Sequence, residues 1–291
     1  MATKLSPRLK QIIATRHDPV AGPTAQILHP LFDTFVKESR THKVGQQPWM
    51  VLATGTFFSL NSPSSLRGLN SYLSSPSFVS SSSLPDTKET KLDRLALLRE
   101  SGLKTISFIG IAKVINNLGV LTASFDPELA RELPDKPKRQ ISGNTELKES
   151  MQRGNNLWSS IYTPFDEKLL NKLASYHPDL PVHILNSHYG PLLSDPPNST
   201  DVSTLGKVGR VLTSCLAIAT LRSLGGVGPQ VTSHVFGLAK AAHENVDPVR
   251  DENLGENWKW LTTEDGLEWV LQVVDRLIAV VESSRSLSSK L

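Results

Sequence analysis

The chain has 291 residues, 38% hydrophobic and 20% charged, enough for a sizeable core in one large domain or two modest ones. Its formal net charge is +3 with lysines and arginines scattered, and no stretch approaches the roughly 20 apolar residues of a membrane span, so neither nucleic acid nor a membrane is an expected partner. One cysteine, Cys215, excludes an intramolecular disulfide.

Residues 1–10 contain no apolar leader core, and Ser6-Pro7 has the form of a helix start. Residues 49–54 and 66–73 read as two helices joined by a turn at Leu60-Asn61-Ser62-Pro63. Residues 74–83 are serine-rich, with Pro76 among them, and read as a loop. A long amphipathic helix is expected over 92–121. The polar stretch from 126 to 145, with Pro127, Pro134 and Pro137, reads as a linker.

Thr163-Pro164 followed by Asp166 gives an N-cap, a proline at the first helical position and an acid in the first turn. Leu169, Leu170 and Leu173 continue that helix. A further helical run from Ser203 places Val208, Val211, Leu212, Cys215, Ile218 and Ala219 on one side, until Gly225, Gly226 and Gly228 stop it. Pro229 opens a helix with Val231, His234, Val235 and Leu238 on one stripe. An acidic loop over 244–256 precedes Trp258-Lys259-Trp260. The last helix is the clearest: Leu267, Val270, Leu271, Val274, Leu277, Ile278 and Val281 follow the i, i+3, i+4 pattern. No alternating run suggests a sheet, so the expected class is all-α.

The helix–turn–helix of 49–73 and that of 216–238 are each followed by a long amphipathic helix, the pattern of a divergent internal repeat. The expected organisation is an N-terminal half at 1–125, a linker at 126–156, a second half at 157–282 and a flexible tail at 283–291. The tail ends in Ser289-Lys290-Leu291, the address read by the peroxisomal import receptor. Peroxisomal matrix localisation is the expectation.

Several segments together carry a resemblance. Pro178-Asp179-Leu180, His183-Ile184, His188-Tyr189-Gly190, Arg210, the helix over 215–224 and His234 resemble the carboxymuconolactone decarboxylase family, whose all-α fold is shared with AhpD-type alkylhydroperoxidases. Leu98-Arg99-Glu100, Ser107-Phe108-Ile109-Gly110 and Ile115-Asn116-Asn117-Leu118 are similar to the family's last long helix and its aromatic-x-glycine turn. The resemblance covers residues 157–282 and, more weakly, 49–123. With its C-terminal tripeptide the chain is similar to a fungal peroxisomal protein of this family.

The resemblance implies an AhpD-like helical bundle that oligomerises through its long helices, here as a homodimer, and a histidine at the position of His234. In the decarboxylases that histidine works beside an acid on the preceding helix. The matching positions, Thr213-Ser214-Cys215 or Arg210-Val211-Leu212, offer no carboxylate. The peroxidase branch needs two cysteines, and Val227 and Gln230 stand in their places, so thiol peroxidase chemistry is not expected.

His234 is the candidate acid/base, since a neutral imidazole can take or give a proton near neutral pH. A hydrogen-bonded core histidine is the equally weighted alternative. Ser214 is a second candidate catalytic group, with Arg210, Gln230, His188 and Tyr189 as candidate substrate contacts. His177, His183 and His188 lie six and five residues apart with Pro178 and Pro181 between them, which is poor spacing for a metal site. No cofactor motif is present; Gly225-Gly226-Val227-Gly228 follows a helix rather than a strand. The expected function is a cofactor-free lyase or isomerase acting on a small organic acid or lactone. The alternative is a non-catalytic ligand-binding or assembly module.

Overall fold

A computed structural model describes residues 5–14, 22–196 and 205–288, and no β-strand occurs among them. The all-α expectation holds. In chain order the helices are α1 (Pro7–Ala14), α2 (Ala25–Thr41), α3 (Gln47–Ser59), α4 (Pro63–Leu73), α5 (Pro76–Ser81), α6 (Lys88–Lys104), α7 (Ile106–Ile109), α8 (Ile111–Ala123) and α9 (Pro127–Glu132). They continue with α10 (Asn144–Tyr162), α11 (Asp166–Tyr176), α12 (Asp179–His183), a π-helical segment (Ile184–Leu193), α13 (Arg210–Leu224), α14 (Gly228–Lys240), α15 (Pro248–Glu252) and α16 (Glu264–Ser288).

The centre of the molecule is the pair α3 and α13. Helix α3 reads QPWMVLATGTFFS, apolar or small on every side, and all of its residues are buried. Such a helix gains nothing from a solvent face and has to be surrounded. Helix α13 is buried from Val211 to Leu221. The two approach closely where Gly55 lies against Thr220, Leu216 and Ala219, and Ser59 Oγ donates to Thr220 O at 2.8 Å. A β-carbon on Gly55 would stand 2.9 Å from Thr220 Oγ1, so glycine permits the approach. Helices α6 and α16 pack against this pair, and α2, α4 and α8 close one side. Phe32, Trp49, Tyr72 and Phe78 form an aromatic cluster with ring centroids 5.2–6.3 Å apart, and burial of each ring stabilises the fold by about 2–3 kcal/mol.

The two halves expected from the sequence share one core, because α3 comes from the first and α13 from the second. A smaller core of Trp158, Ile161, Tyr189 and Leu193 lies under α10 and the π-helical segment. These two segments touch backbone to backbone: a β-carbon on Gly154 would lie 2.5 Å from Gly190 N.

Several boundaries differ from the sequence reading. The long helix expected over 92–121 is three helices, interrupted at Gly110, whose φ of 77° lies outside the helical region. The serine-rich loop contains α5, which Ser75 caps by accepting from Phe78 N at 3.2 Å and which buries Phe78. The helix after Thr163-Pro164 begins at Asp166. The next run begins at Arg210; residues 203 and 204 lie outside the described residues.

The segment read as a linker, 126–156, holds α9 and most of α10, and Arg139 within it is ion-paired to Glu100. The tail read as flexible from residue 283 is helical through Ser288, because α16 continues and Arg285 donates to the carbonyls of Leu60 and Asn61. The targeting tripeptide Ser289, Lys290 and Leu291 lies outside the described residues.

Candidate functional site

His234 occupies the second turn of α14, on the stripe its spacing indicated, and is 3% exposed. Its ring meets Phe108 of α7 edge-on and lies beside Tyr162, the last residue of α10. Tyr162 Oη is 3.3 Å from His234 Nε2 and 3.0 Å from Tyr189 Oη in the π-helical segment. Trp158 lies tilted against Tyr162, ring centroids 4.1 Å apart, and edge-on to Tyr189. Four elements thus converge on a chain of neutral polar groups inside an aromatic box. Burial, and then the charge of Arg210, push the imidazole down to about 4, so His234 is uncharged at neutral pH. Burial also raises both phenols. His234 Nδ1 and Trp158 Nε1 have no hydrogen-bond partner among the described residues.

Arg210, the first residue of α13, lies beside this chain with its side chain 8% exposed. All three nitrogens of its guanidinium make hydrogen bonds. Nε and Nη2 form a fork on Glu244 at 3.0 and 2.7 Å, and Nη1 donates to Ser214 Oγ at 2.8 Å. Nη2 also reaches Gly237 O at 2.8 Å and Ser160 O at 3.2 Å. Arg210 therefore ties α10, α13 and α14 to the segment after α14, and its charge is matched within the fold by Glu244.

Around the head of α13 lies a second charged group. Glu252 is buried and accepts from Val211 N at 2.9 Å and Leu212 N at 2.7 Å, filling the helix's orphan donors. Burial pushes its carboxyl up to about 7 against the pull of those two amides. Lys104 is fully buried, with Nζ at 2.7 Å from Leu193 O, 2.6 Å from Val208 O and 2.5 Å from Asp195 Oδ1. A cleft of about 420 Å³ opens above this group, lined by Lys138, Asp195, Lys207, Arg210, Arg250 and Glu252 among others.

The candidates named from sequence divide accordingly. His234, Tyr189, Arg210 and Ser214 come together, but Ser214 serves Arg210 rather than His234. Arg210, expected as a substrate contact, belongs to an internal ion pair. Gln230 is exposed in the first turn of α14, one helical turn before His234, and no hydrogen bond joins it to the His234 cluster among the described residues. His188 is half-buried, bonded to Ser107 Oγ at 3.2 Å, with its ring against His183. None of His234, Ser214, Gln230, His188 or Tyr189 lines the cleft. Cys215 is buried and burial drives its thiol far above the usual range.

Sequence reasoning missed Tyr162, Glu244, Glu252 and Lys104. Two carboxylates from the stretch read as an acidic loop bond to the first turn of α13. Both are occupied, Glu244 by Arg210 and Glu252 by backbone amides. No family model, no curated protein and no solved structure matches the chain.

Proposed function

We propose that this chain is an AhpD-like, carboxymuconolactone decarboxylase-like protein of two divergent repeats. We place it in the peroxisomal matrix, delivered by Ser289-Lys290-Leu291, as a homodimeric ligand-binding or assembly module. In this reading the His234 cluster is a structural brace and does not carry the family's acid–base chemistry. The observation that carries it is the engagement of Arg210: all three nitrogens of the guanidinium bond within the fold, to Glu244, Ser214 and backbone carbonyls, beside a neutral, enclosed imidazole. Two further facts support the rest. Helices α2, α3, α4 and α6 pack among themselves much as α10, α13, α14 and α16 do, the relation a duplication would leave. The end of α16 is exposed, with Leu287 66% exposed, which suits an accessible address.

The second reading is a cofactor-free lyase or isomerase using His234. It is favoured by the unpartnered Nδ1, a buried polar atom that a ligand could satisfy. A panel of small carboxylic acids and lactones, screened for binding and conversion with wild type and His234→Gln, separates the two. The brace reading expects no conversion by wild type, and a His234→Gln protein that melts lower while its folded fraction binds any ligand as wild type does. Conversion of an acid or lactone that His234→Gln abolishes, with the fold intact, overturns it. For the address, a tagged chain is expected in peroxisomes, and the same chain without Ser289-Lys290-Leu291 in the cytosol. Peroxisomal import without the tripeptide would overturn that assignment.

A further inference from the structure

Helix α1 is built from local signals and not from packing. Ser6 caps it, its Oγ accepting from Leu9 N at 3.2 Å and its carbonyl from Lys10 N at 3.1 Å, and Pro7 fills the first helical position. Every residue from 5 to 14 is exposed. Among them are four large aliphatic side chains: Leu5 at 50%, Leu9 at 48%, Ile12 at 57% and Ile13 at 49%.

On the helix, Leu9, Ile12 and Ile13 at i, i+3 and i+4 lie within a sector of about 100°, and Leu5 stands just before the Ser6 cap. Arg8 flanks one edge of that sector and Lys10 the other. In sequence, residues 1–17 include Lys4, Arg8, Lys10 and Arg16, and no aspartate or glutamate. An apolar stripe rimmed by cations and free of acids complements a surface that is apolar beneath and anionic above. A helix of two turns is marginal in water alone and gains order when such a surface takes its stripe.

We propose that α1 is a surface anchor that lays Leu5, Leu9, Ile12 and Ile13 into the headgroup boundary of a bilayer carrying anionic lipids, with Arg8 and Lys10 among the headgroups. The long stems of those two cations let their charges rise to the phosphate level while the stripe stays below. This contact is peripheral and compatible with the absence, among the described residues, of any helix long and apolar enough to cross a membrane. It revises the expectation of no membrane partner, which rested on the lack of a span; an eight-residue helix lying in the interface is invisible to that criterion. The proposal stands independently of the reading of His234.

The test is vesicle flotation of the purified full chain. Vesicles of phosphatidylcholine with phosphatidylserine should carry the protein up, and phosphatidylcholine alone should carry much less. Raised salt should weaken the binding. Arg8→Gln with Lys10→Gln should lower partitioning roughly thirty-fold, from two cations removed at an anionic surface. Leu9→Glu with Ile13→Glu should abolish flotation and leave the melting temperature unchanged, since neither side chain is buried. No flotation of wild type with the anionic vesicles overturns the proposal, as does equal flotation by Leu9→Glu with Ile13→Glu. Self-association that this double variant abolishes, without flotation, assigns the stripe to a second copy of the chain. Recovery from cells of protein lacking these residues makes the segment a removable leader. Either result overturns the anchor.

Discussion

Tyr162 and His234 meet through their side chains, the phenol oxygen 3.3 Å from Nε2, in an interior where neither group is charged at neutral pH. The imidazole's value of about 4 in the folded chain lies below its ordinary 6.5. Between those values the unfolded chain holds a proton that the folded chain refuses, so stability rises with pH across the window and is lost as pH falls. Relative to His234→Gln, wild type is expected to lose about 2 kcal/mol of unfolding free energy between pH 7 and pH 5. Urea denaturation of both proteins at several pH values measures this. A difference that stays flat would mean the ring is charged or solvated.

Glu252 works in the opposite direction. Its carboxyl, raised to about 7 from an ordinary 4.5, favours the protonated form in the folded chain. Its contribution is therefore present below about pH 4.5 and fades as pH rises through 7. The wild-type profile is expected to be shallow because the two groups oppose each other, and Glu252→Gln should steepen its rise with pH. A profile unchanged by Glu252→Gln would show that the two backbone amides outweigh burial at this carboxylate.

Arg210 offers a sharper perturbation. Arg210→Ala leaves Glu244 without its fork and removes the bonds to Ser214, Ser160 and Gly237. A loss of about 3–5 kcal/mol is expected, as for one partner removed from a largely buried ion pair. Arg210→Lys keeps the charge but not the fork and should recover only part of it. Ser214→Ala removes one acceptor and should cost about 1 kcal/mol. Full recovery by Arg210→Lys, read by chemical denaturation, would show that charge and not geometry matters here.

The helices that position these residues were largely legible in the sequence, because a 3.6-residue period is a local signal. The stripe of α16 is one case: Val270, Val274, Leu277 and Val281 are all fully buried. The inward aim of His234 is another. The cluster itself was not legible. Tyr162 and His234 are 72 residues apart, Arg210 and Glu244 are 34 apart, and Lys104 finds acceptors 89 and 104 residues away. No helical spacing reports pairs at such distances. Gln230 shares a helix face with His234 at i, i+4, but it lies in the exposed first turn of α14 while His234 is buried one turn further in. The break at Gly110 was marked by the aromatic-x-glycine resemblance of residues 107–110, but the apolar periodicity continues across it and carried the expected helix through.

Cys215 gives a simple chemical readout of the core. It is fully buried in α13, and its thiol is held protonated by burial and the nearby negative charge of Glu252. Attack on a disulfide reagent needs an exposed thiolate. The native chain is expected to release no chromophore from Ellman's reagent over hours at neutral pH, and one equivalent once denatured. Rapid reaction of the native protein would place Cys215 within reach of solvent and reopen thiol chemistry.

Lys104 gives the most demanding test of the packing at the head of α13. Its ammonium is fully buried, and it is bonded to two carbonyls, Leu193 and Val208, and to Asp195, whose side chain is 33% exposed. The carbonyls belong to the end of the π-helical segment and to the approach to α13, so one cation pins two chain segments that the sequence separates. Lys104→Met fills the space with an uncharged chain and strands both carbonyls and the carboxylate. Its expected cost is about 3–5 kcal/mol. Asp195→Ala leaves the ammonium on its two carbonyls and within 4.0 Å of Glu100. Because Asp195 is partly solvated, its expected cost is smaller, about 1–2 kcal/mol. The order is the discriminating quantity. If urea denaturation shows Asp195→Ala to be as damaging as Lys104→Met, the ion pair and not the carbonyl bonds holds these segments. If neither variant is destabilised, Lys104 does not anchor them at all.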